Sequence, residues 1–562
     1  MKPTLRTTTL LVLSALVATS LAACGSGGNS TDSGSVTASL AVDKPAAATA
    51  PAVSTPAAVT ATIATQAATT PGVQVTASPD GSTAATTSAS AAAASTTANS
   101  SPAAASTTTA ATSTSTSAYG TYLRPYAVNS LWNSRPVNPE FGTFVIPTSS
   151  YFPAVQAGAY STGVFLASDT DQPMTVVGRS STATTTAGMS DPDTAGSRVI
   201  TIPRWPAGVL PASGSDGHAD IVDPITNIIH SFWQLKQVNG QWTAALYSWS
   251  SLTGTGWGDP AHFYQGARAV GIPASAGLIR KQEMNDGLPT YTHALAMSLT
   301  YNALSNGSST PAYVFPATSA DNSASANTGA IPEGALMMLP PNFDSSKIAN
   351  PDLKKVVETL KLYGAYVVDR NTGTPFVIYA ENDAGFNLMP KGWDNTVADQ
   401  LDKIRAALRQ VTSAQAWVDG NGDTVSARSA QQPNVNILSM RGGWYRQSGT
   451  GTGDYDPITQ KFAFGATTTT TVYVNANNTG LTPVKWAKPE AGTYVNFTVR
   501  ATGGARLRLQ VKSGSAFTHD TWDLVDGKSV RILWPANASV VVIATSGTSG
   551  PSTVKGELVP ST

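Results

Sequence analysis

The run Ala219-Asp220-Ile221-Val222-Asp223-Pro224, followed closely by Ile228-Ile229-His230-Ser231-Phe232-Trp233-Gln234-Leu235, decides the fold. Both segments are short and rich in β-branched and aromatic residues. Asp216-Gly217 and Asp223-Pro224 supply turn chemistry on either side of the first, so the pair reads as strands and turns. The same pattern recurs in GTFVIP (142–147), TGVFLAS (162–168), SRVITIP (197–203) and WTAALYSW (242–249). Strands at this spacing suit a sandwich or a barrel.

Two helices interrupt the pattern. Asn350 caps the first, with Pro351 and Asp352 in its first turn. Leu353, Val356, Val357 and Leu360 share a face, and Gly364 stops it. The chain then reads AYVVD, a turn RNTGT and PFVIYAE, which is a hairpin pattern. The second helix is expected from about Thr396 to Val411, with Val397, Leu401, Ile404 and Leu408 inward, and a short third one over Ala276 to Asn285. Beyond residues 419–433 the chain is strand-like again: TTTTVYVNA, TYVNFTVRA, ARLRLQV, SVRILW and SVVVIAT. The expected fold class is therefore mainly β with a minor α content. It comprises a β-sandwich-like central domain with a few helices (119–425) and a separate C-terminal antiparallel β-sandwich (426–562).

The N-terminal part is of another kind. Lys2 and Arg6 precede an apolar run from Leu10 to Leu21, too short to span a bilayer as a mature helix. Residues 1–23 read as a signal peptide, and Leu21-Ala22-Ala23-Cys24 resembles the lipobox of bacterial lipoproteins. That resemblance implies cleavage before Cys24, lipidation of its sulfur and a membrane partner reached through the lipid. Gly25, rather than the aspartate of inner-membrane retention, favours an outer membrane where the source has one. Cys24 is the chain's only cysteine, as suits a compartment where a second thiol risks mispairing. Residues 24–118 are almost wholly Ala, Thr, Ser, Pro and Gly with some Val, and hold no Phe, Trp or Tyr. Such a composition cannot offset backbone entropy by burial, so it reads as a disordered tether.

Formal charge balances at 34 basic against 34 acidic residues, yet it is divided. Residues 119–426 hold about 18 basic and 24 acidic side chains, the rest of the C-terminal part about 13 and 7. The basic module could favour an anionic polymer; without a recognisable binding motif, nucleic acid is not an expected partner.

Chemistry is sought in two clusters. Asp216, His218, Asp220 and Asp223 lie within eight residues. In an ADIVD strand His218 and Asp220 share a side, an arrangement that suits an oriented base as well as it suits turn chemistry. In AGLIRKQEMNDGLPTYTHALAM, Arg280, Glu283 and Asp286 fall at three-residue spacing, and Tyr291 and His293 follow in an apolar strand. The candidate catalytic residues are His218, Asp220, Glu283 and His293. Arg280 and Tyr291 are candidate supports in substrate binding, and Trp257, between two glycines, is expected on an exposed loop that offers its face to a sugar. GxSxG, HExxH and GxxxxGK[ST] are absent, which disfavours a peptidase and leaves the commonest hydrolase, zinc-protease and nucleotide readings without support. Asp419-Gly420-Asn421-Gly422-Asp423 reads as a boundary turn more readily than as a calcium loop, since position twelve is Ala430. No cofactor and no transition-metal site are expected with five histidines and one lipid-bound cysteine.

The succession HADIVDP, AGLIRKQE, THALAM, YVFPAT and LYGAYVVDRNTG resembles a recurrent group of secreted bacterial proteins over roughly Tyr119 to Asn395. It brings no active-site assignment and implies that the polar clusters share one domain. The leading expectation is a surface carbohydrate-active enzyme, a glycoside hydrolase or a polysaccharide lyase. The alternative is a non-enzymatic glycan-binding, adhesin or envelope-structure lipoprotein.

Overall fold

The computed structural model describes residues 118–178, 189–191, 196–425, 435–449, 453–456, 458–475 and 480–561. Residues 1–117, which hold the expected signal peptide, Cys24 and nearly all of the expected tether, lie outside them. The fold is mainly β, with two α-helices and five sheets among the described residues.

The central part is layered. An eight-stranded mixed sheet runs Arg135–Phe141, Arg409–Val418, Leu336–Met338, Ala365–Asn371, Leu295–Thr300, Phe376–Tyr379 and Ala154–Gln156, with Thr424–Val425 paired to the second of these. Alternation divides its strands between two cores. Leu295, Met297, Val367, Phe376 and Ile378 pack under helix α1 (Pro351–Leu362) and helix α2 (Asn395–Ala407). Ala296, Tyr366, Val368, Val377 and Tyr379 face the other way. There they meet Val164, Val222 and Ile229 of a six-stranded sheet containing Gly163–Leu166, Ala219–Asp223, Ile228–Trp233 and Leu246–Ser251. The far side of that sheet carries Ile221, Phe232 and Tyr247. It packs on Val176, Ile202 and Ala244 of a four-stranded sheet. Every residue of the Ala219–Asp223 strand is buried, because it has a sheet on each face.

Helix α1 follows its sequence signals: Asn350 Oδ1 accepts from Leu353 N at 3.1 Å, and Gly364 closes it at φ 76°. Several expectations fail. α2 stops at Ala407; Leu408 is its C-cap, and Arg409 onward is a ten-residue strand that completes the mixed sheet. The AYVVD/PFVIYAE hairpin does not form. The fully buried Leu295–Thr300 strand inserts between the two, parallel to one and antiparallel to the other. A strand that apolar needs partners on both edges, and they supply them. Over Ala276 to Asn285 there is one 3-10 turn, Lys281–Glu283, rather than a helix. GTFVIP is not a strand, although Ile146 within it is fully buried. Asp419 closes a turn, its Oδ1 accepting from Asn421 N and Asp423 N.

The C-terminal part is an antiparallel sandwich of two five-stranded sheets. One runs Trp444–Arg446, Val472–Asn475, Ala538–Thr545, Arg506–Ser513, Ala516–Asp520. The other runs Asp454–Asp456, Lys461–Thr467, Gly550–Ser561, Tyr494–Thr502, Ser529–Leu533. Leu507, Leu509 and Val511 alternate inward to meet Val495, Phe497 and Val499. The sandwich leans on the central part: Trp486 Nε1 donates to Ala317 O at 2.7 Å, and the Arg441 guanidinium sits 4.2 Å from the Phe263 ring.

Candidate functional site

Ile279 pairs beside Ala380 at the end of the Phe376–Tyr379 strand, and Glu381 N donates to Ile279 O at 2.7 Å. That pairing sets Arg280 against Glu381. Arg280 Nε donates to Glu381 Oε2 at 2.8 Å, Nη1 donates to Tyr122 O at 3.2 Å, and the guanidinium lies 4.7 Å from the Tyr122 ring. Nη2 has no hydrogen-bond partner among the described residues, although Arg280 is buried. The 3-10 turn then folds Glu283 back, so that its Oε2 accepts from Arg280 N at 2.9 Å.

Glu283 meets His293, whose Nε2 lies 3.1 and 3.2 Å from the two carboxylate oxygens. The other ring nitrogen, Nδ1, lies 2.8 Å from Ala294 O. Both nitrogens therefore face acceptors, which is the arrangement of an imidazolium. Burial works to lower the His293 pKa, but Glu283 and the Ala294 carbonyl outweigh it, and the group is held above its ordinary value. Burial likewise opposes Glu283 ionisation, and His293 with Arg280 overcomes it, so the carboxyl is held below its ordinary value.

Arg280, Glu283 and His293 line one cleft with Arg124, Tyr126, Asn133 and Ser275. The space it encloses is about 30 Å³, on the scale of about one water molecule. Tyr126 forms part of its wall from a left-handed backbone, φ 72°. Such a conformation is strained for an aromatic residue and collects at functional sites. Gly256 makes room for that ring: a Cβ there would lie 2.7 Å from it.

The other predicted residues lie elsewhere. Asp220 is fully buried, and its Oδ2 accepts from Ser275 N at 2.7 Å, one layer behind the cleft. No hydrogen bond joins it to His218 among the described residues. His218 is buried near Arg268, and burial followed by that charge hold its pKa well below the ordinary value. Tyr291 is buried under the Lys355 ammonium, 4.6 Å from its ring, and does not line the cleft. Asp286 is bound by Lys355. Trp257 is not exposed. It is 2% accessible and stacks on Trp132 at 4.8 Å and 3°, so it backs a cleft residue and cannot offer a face to sugar.

Sequence reasoning missed Arg268 and Asp369, which complete a buried polar layer with Asp216. Arg268 donates to Asp369 at 3.1 Å and to Tyr160 O, and stacks 4.1 Å from the Tyr379 ring. Asp369 reaches it through a β-bulge: the register between the Leu295–Thr300 and Ala365–Asn371 strands slips after Met297/Val367, leaving Val368 extra. Burial, opposed by Arg268, pushes Asp369 up to about 7. Burial raises Asp216 to about 6 against the same cation. An acid ending an apolar run, Asp369 in AYVVD and Glu381 in PFVIYAE, was the available signal.

No family model matches the chain, and no curated protein matches it. Among solved structures, the Glycosylation Associate Protein (Gap123) complex from Streptococcus agalactiae is 13% identical, covering 19% of this chain and 39% of that one, with a TM-score of 0.15. The TmCBM61 structure in complex with β-1,4-galactotriose is 10% identical, covering 21% of this chain and 87% of that one, also at 0.15. At these scores neither likeness bears on fold or function.

Proposed function

We propose that the chain is an exported, lipid-anchored surface protein that acts on a carboxylate-bearing polysaccharide, with β-eliminative lyase chemistry at the Arg280–Glu283–His293 cleft. The observation that carries the reading is the unpartnered Nη2 of buried Arg280, beside an imidazolium, in a cleft whose lining includes a single acid, Glu283, among the described residues. Hydrolysis of a glycosidic bond ordinarily takes two carboxyl groups flanking it. Here Asp220 is walled off behind Ser275, and Glu381 is occupied by Arg280. A lyase instead needs cations on the sugar carboxylate, which acidify the adjacent C–H, and a group that moves the proton. Arg280 and His293 fit the first role. Glu283, held ionised, fits the acceptor of the C–H proton, and Tyr126, whose proton is held in place, fits the donor to the oxygen that leaves as the C–O bond breaks. A cleft this small admits no sugar ring, so the ring would stay at its mouth with its carboxylate turned toward Arg280.

The test is incubation of the purified protein with polygalacturonate and alginate, following both reducing ends and the ultraviolet absorbance of unsaturated products. Both signals together, lost in Glu283→Gln and Tyr126→Phe, are expected. Reducing ends without absorbance would make it a hydrolase. Silence with retained polymer binding would favour the second reading, a non-enzymatic glycan-binding or envelope protein, which the small volume of the cleft supports. The anchor has its own test: Cys24→Ala should lose incorporation of labelled fatty acid and leave the membrane fraction.

A further inference from the structure

The solvent face of one C-terminal sheet carries a row of side chains that crosses the strands. Tyr445 is opposite Val474, Val474 opposite Ile543, and Ile543 opposite Arg508. The residues between them in sequence, such as Leu507, Leu509, Val540 and Val542, point into the core. The row therefore lies on the outer face. The Arg508 guanidinium ends it under Trp522, 4.8 Å from the ring. At roughly 4.8 Å per strand, Tyr445 and Arg508 stand about 14 Å apart, and Trp522 extends the row beyond that.

Both terminal rings are exposed, Tyr445 by 52% and Trp522 by 70%. Trp522 gains little from burial, yet it sits at φ 55°, where a bulky side chain is strained. The surroundings hold it there. Its N–H donates to Asp520 Oδ1 at 3.0 Å, Thr521 N donates to Leu509 O at 3.1 Å, and Asp520 is gripped by Arg508 Nε at 2.7 Å and Gln510 Nε2 at 2.9 Å. Backbone strain maintained to present an open indole to water is explained by a ligand that uses the indole face.

We infer that this row is a binding track for an extended chain of uncharged sugar rings, with Trp522 and Tyr445 as stacking platforms at its ends. Sugar rings present apolar C–H faces to flat aromatics and hydroxyls to flanking polar groups, here Asp520 and Gln510. The Arg508 charge is matched by Asp520, so the row does not ask for an anion. A lipid surface would need a continuous apolar patch, which this ion pair interrupts. An added peptide strand would pair with a sheet edge, not cross its face. The site is independent of the cleft.

The test is affinity electrophoresis of the full chain in gels containing xyloglucan, arabinoxylan, galactan or hydroxyethylcellulose, at low and high salt. We expect retardation by at least one polymer, unchanged by salt and unchanged in Glu283→Gln. Trp522→Ala and Tyr445→Ala should each weaken it about tenfold or more, and Trp522→Tyr should restore most of it. Phe517, also exposed but opposite Lys512 and off the row, is the control. Retardation that survives Trp522→Ala, an equal loss in Phe517→Ala, or no retardation by any of these polymers overturns the track.

Discussion

Replacing Arg268 by Met should destabilise the protein by an amount that grows with pH. Arg268 is 2% accessible. Its ion pair with Asp369, its bonds to Tyr160 O and its stacking on Tyr379 would all be lost while the aliphatic stem is kept. Removing one partner of a buried pair ordinarily costs about 3–5 kcal/mol, because a charge is left uncompensated. Asp369 can evade part of that. With Arg268 present its pKa is already about 7, and without the cation it must rise further. At pH 6 the carboxyl is protonated in the variant, and the loss reduces to contacts and hydrogen bonds, about 2 kcal/mol. A carboxyl whose folded pKa exceeds its unfolded one binds extra protons when folded, so stability is lost as pH rises toward the folded value. Wild type has completed that loss near pH 7, whereas the variant continues, at up to about 1.4 kcal/mol per pH unit. Urea midpoints of both proteins from pH 5 to 9 measure the difference. The double variant Arg268→Met/Asp369→Asn should show a much flatter difference above pH 7. A single-variant penalty that stays flat or shrinks above pH 7 would refute the reasoning.

Three further outcomes follow from the same geometry. Glu283→Gln removes the main group that raises the His293 pKa, so the His293 ring resonances should titrate at lower pH than in wild type; any activity that depends on the imidazolium should lose its alkaline limb at correspondingly lower pH. Trp257→Ala opens a void beside Trp132 and Tyr366 and should cost about 3–5 kcal/mol in chemical denaturation, while leaving polymer retardation through Trp522 intact. Gly364→Ala should lower stability by more than about 1 kcal/mol, since the residue sits at φ 76° and its Cβ would lie 2.6 Å from Met338 Cγ and 2.7 Å from Met337 O; a neutral result in thermal unfolding would contradict this.

What could be read from the sequence was local. Helix α1 announced itself through Asn350, its apolar face and Gly364, all within a few turns. The strand segments at 219–223, 228–233 and 506–513 announced themselves by composition or alternation. Partner choice was not legible. AYVVD and PFVIYAE looked like a hairpin because nothing in them shows that Leu295–Thr300 takes the place between them. The closing strand Gly550–Ser561 was overlooked because Lys555 and Glu557 dilute its pattern, although Val554 and Leu558 are fully buried. At the site, Arg280, Glu283 and His293 were within reach because they are close in sequence. Tyr126 and Glu381 were not, since only the fold brings Tyr126 to the cleft wall and Glu381 against Arg280.

The position of Asp220 also limits what the cleft can be. Its carboxylate meets Ser275 N, and Ser275 lines the cleft that Tyr126 shares. Burial, with Asp220 adding to it, raises the Tyr126 pKa. Asp220 can therefore affect chemistry at the cleft only through these neighbours, by fixing the Ser275 backbone and by keeping the Tyr126 proton in place. Arg268 stands behind it and favours the charged carboxylate, against the desolvation that raises the Asp220 pKa. The buried polar layer thus reaches the cleft wall at Ser275, through the bond from its N–H to Asp220. The acid that lines the cleft itself is Glu283, and its partner is His293 rather than a second acid. Hydrolysis of a glycosidic bond ordinarily uses a pair of carboxyl groups, and the cleft lining holds one among the described residues.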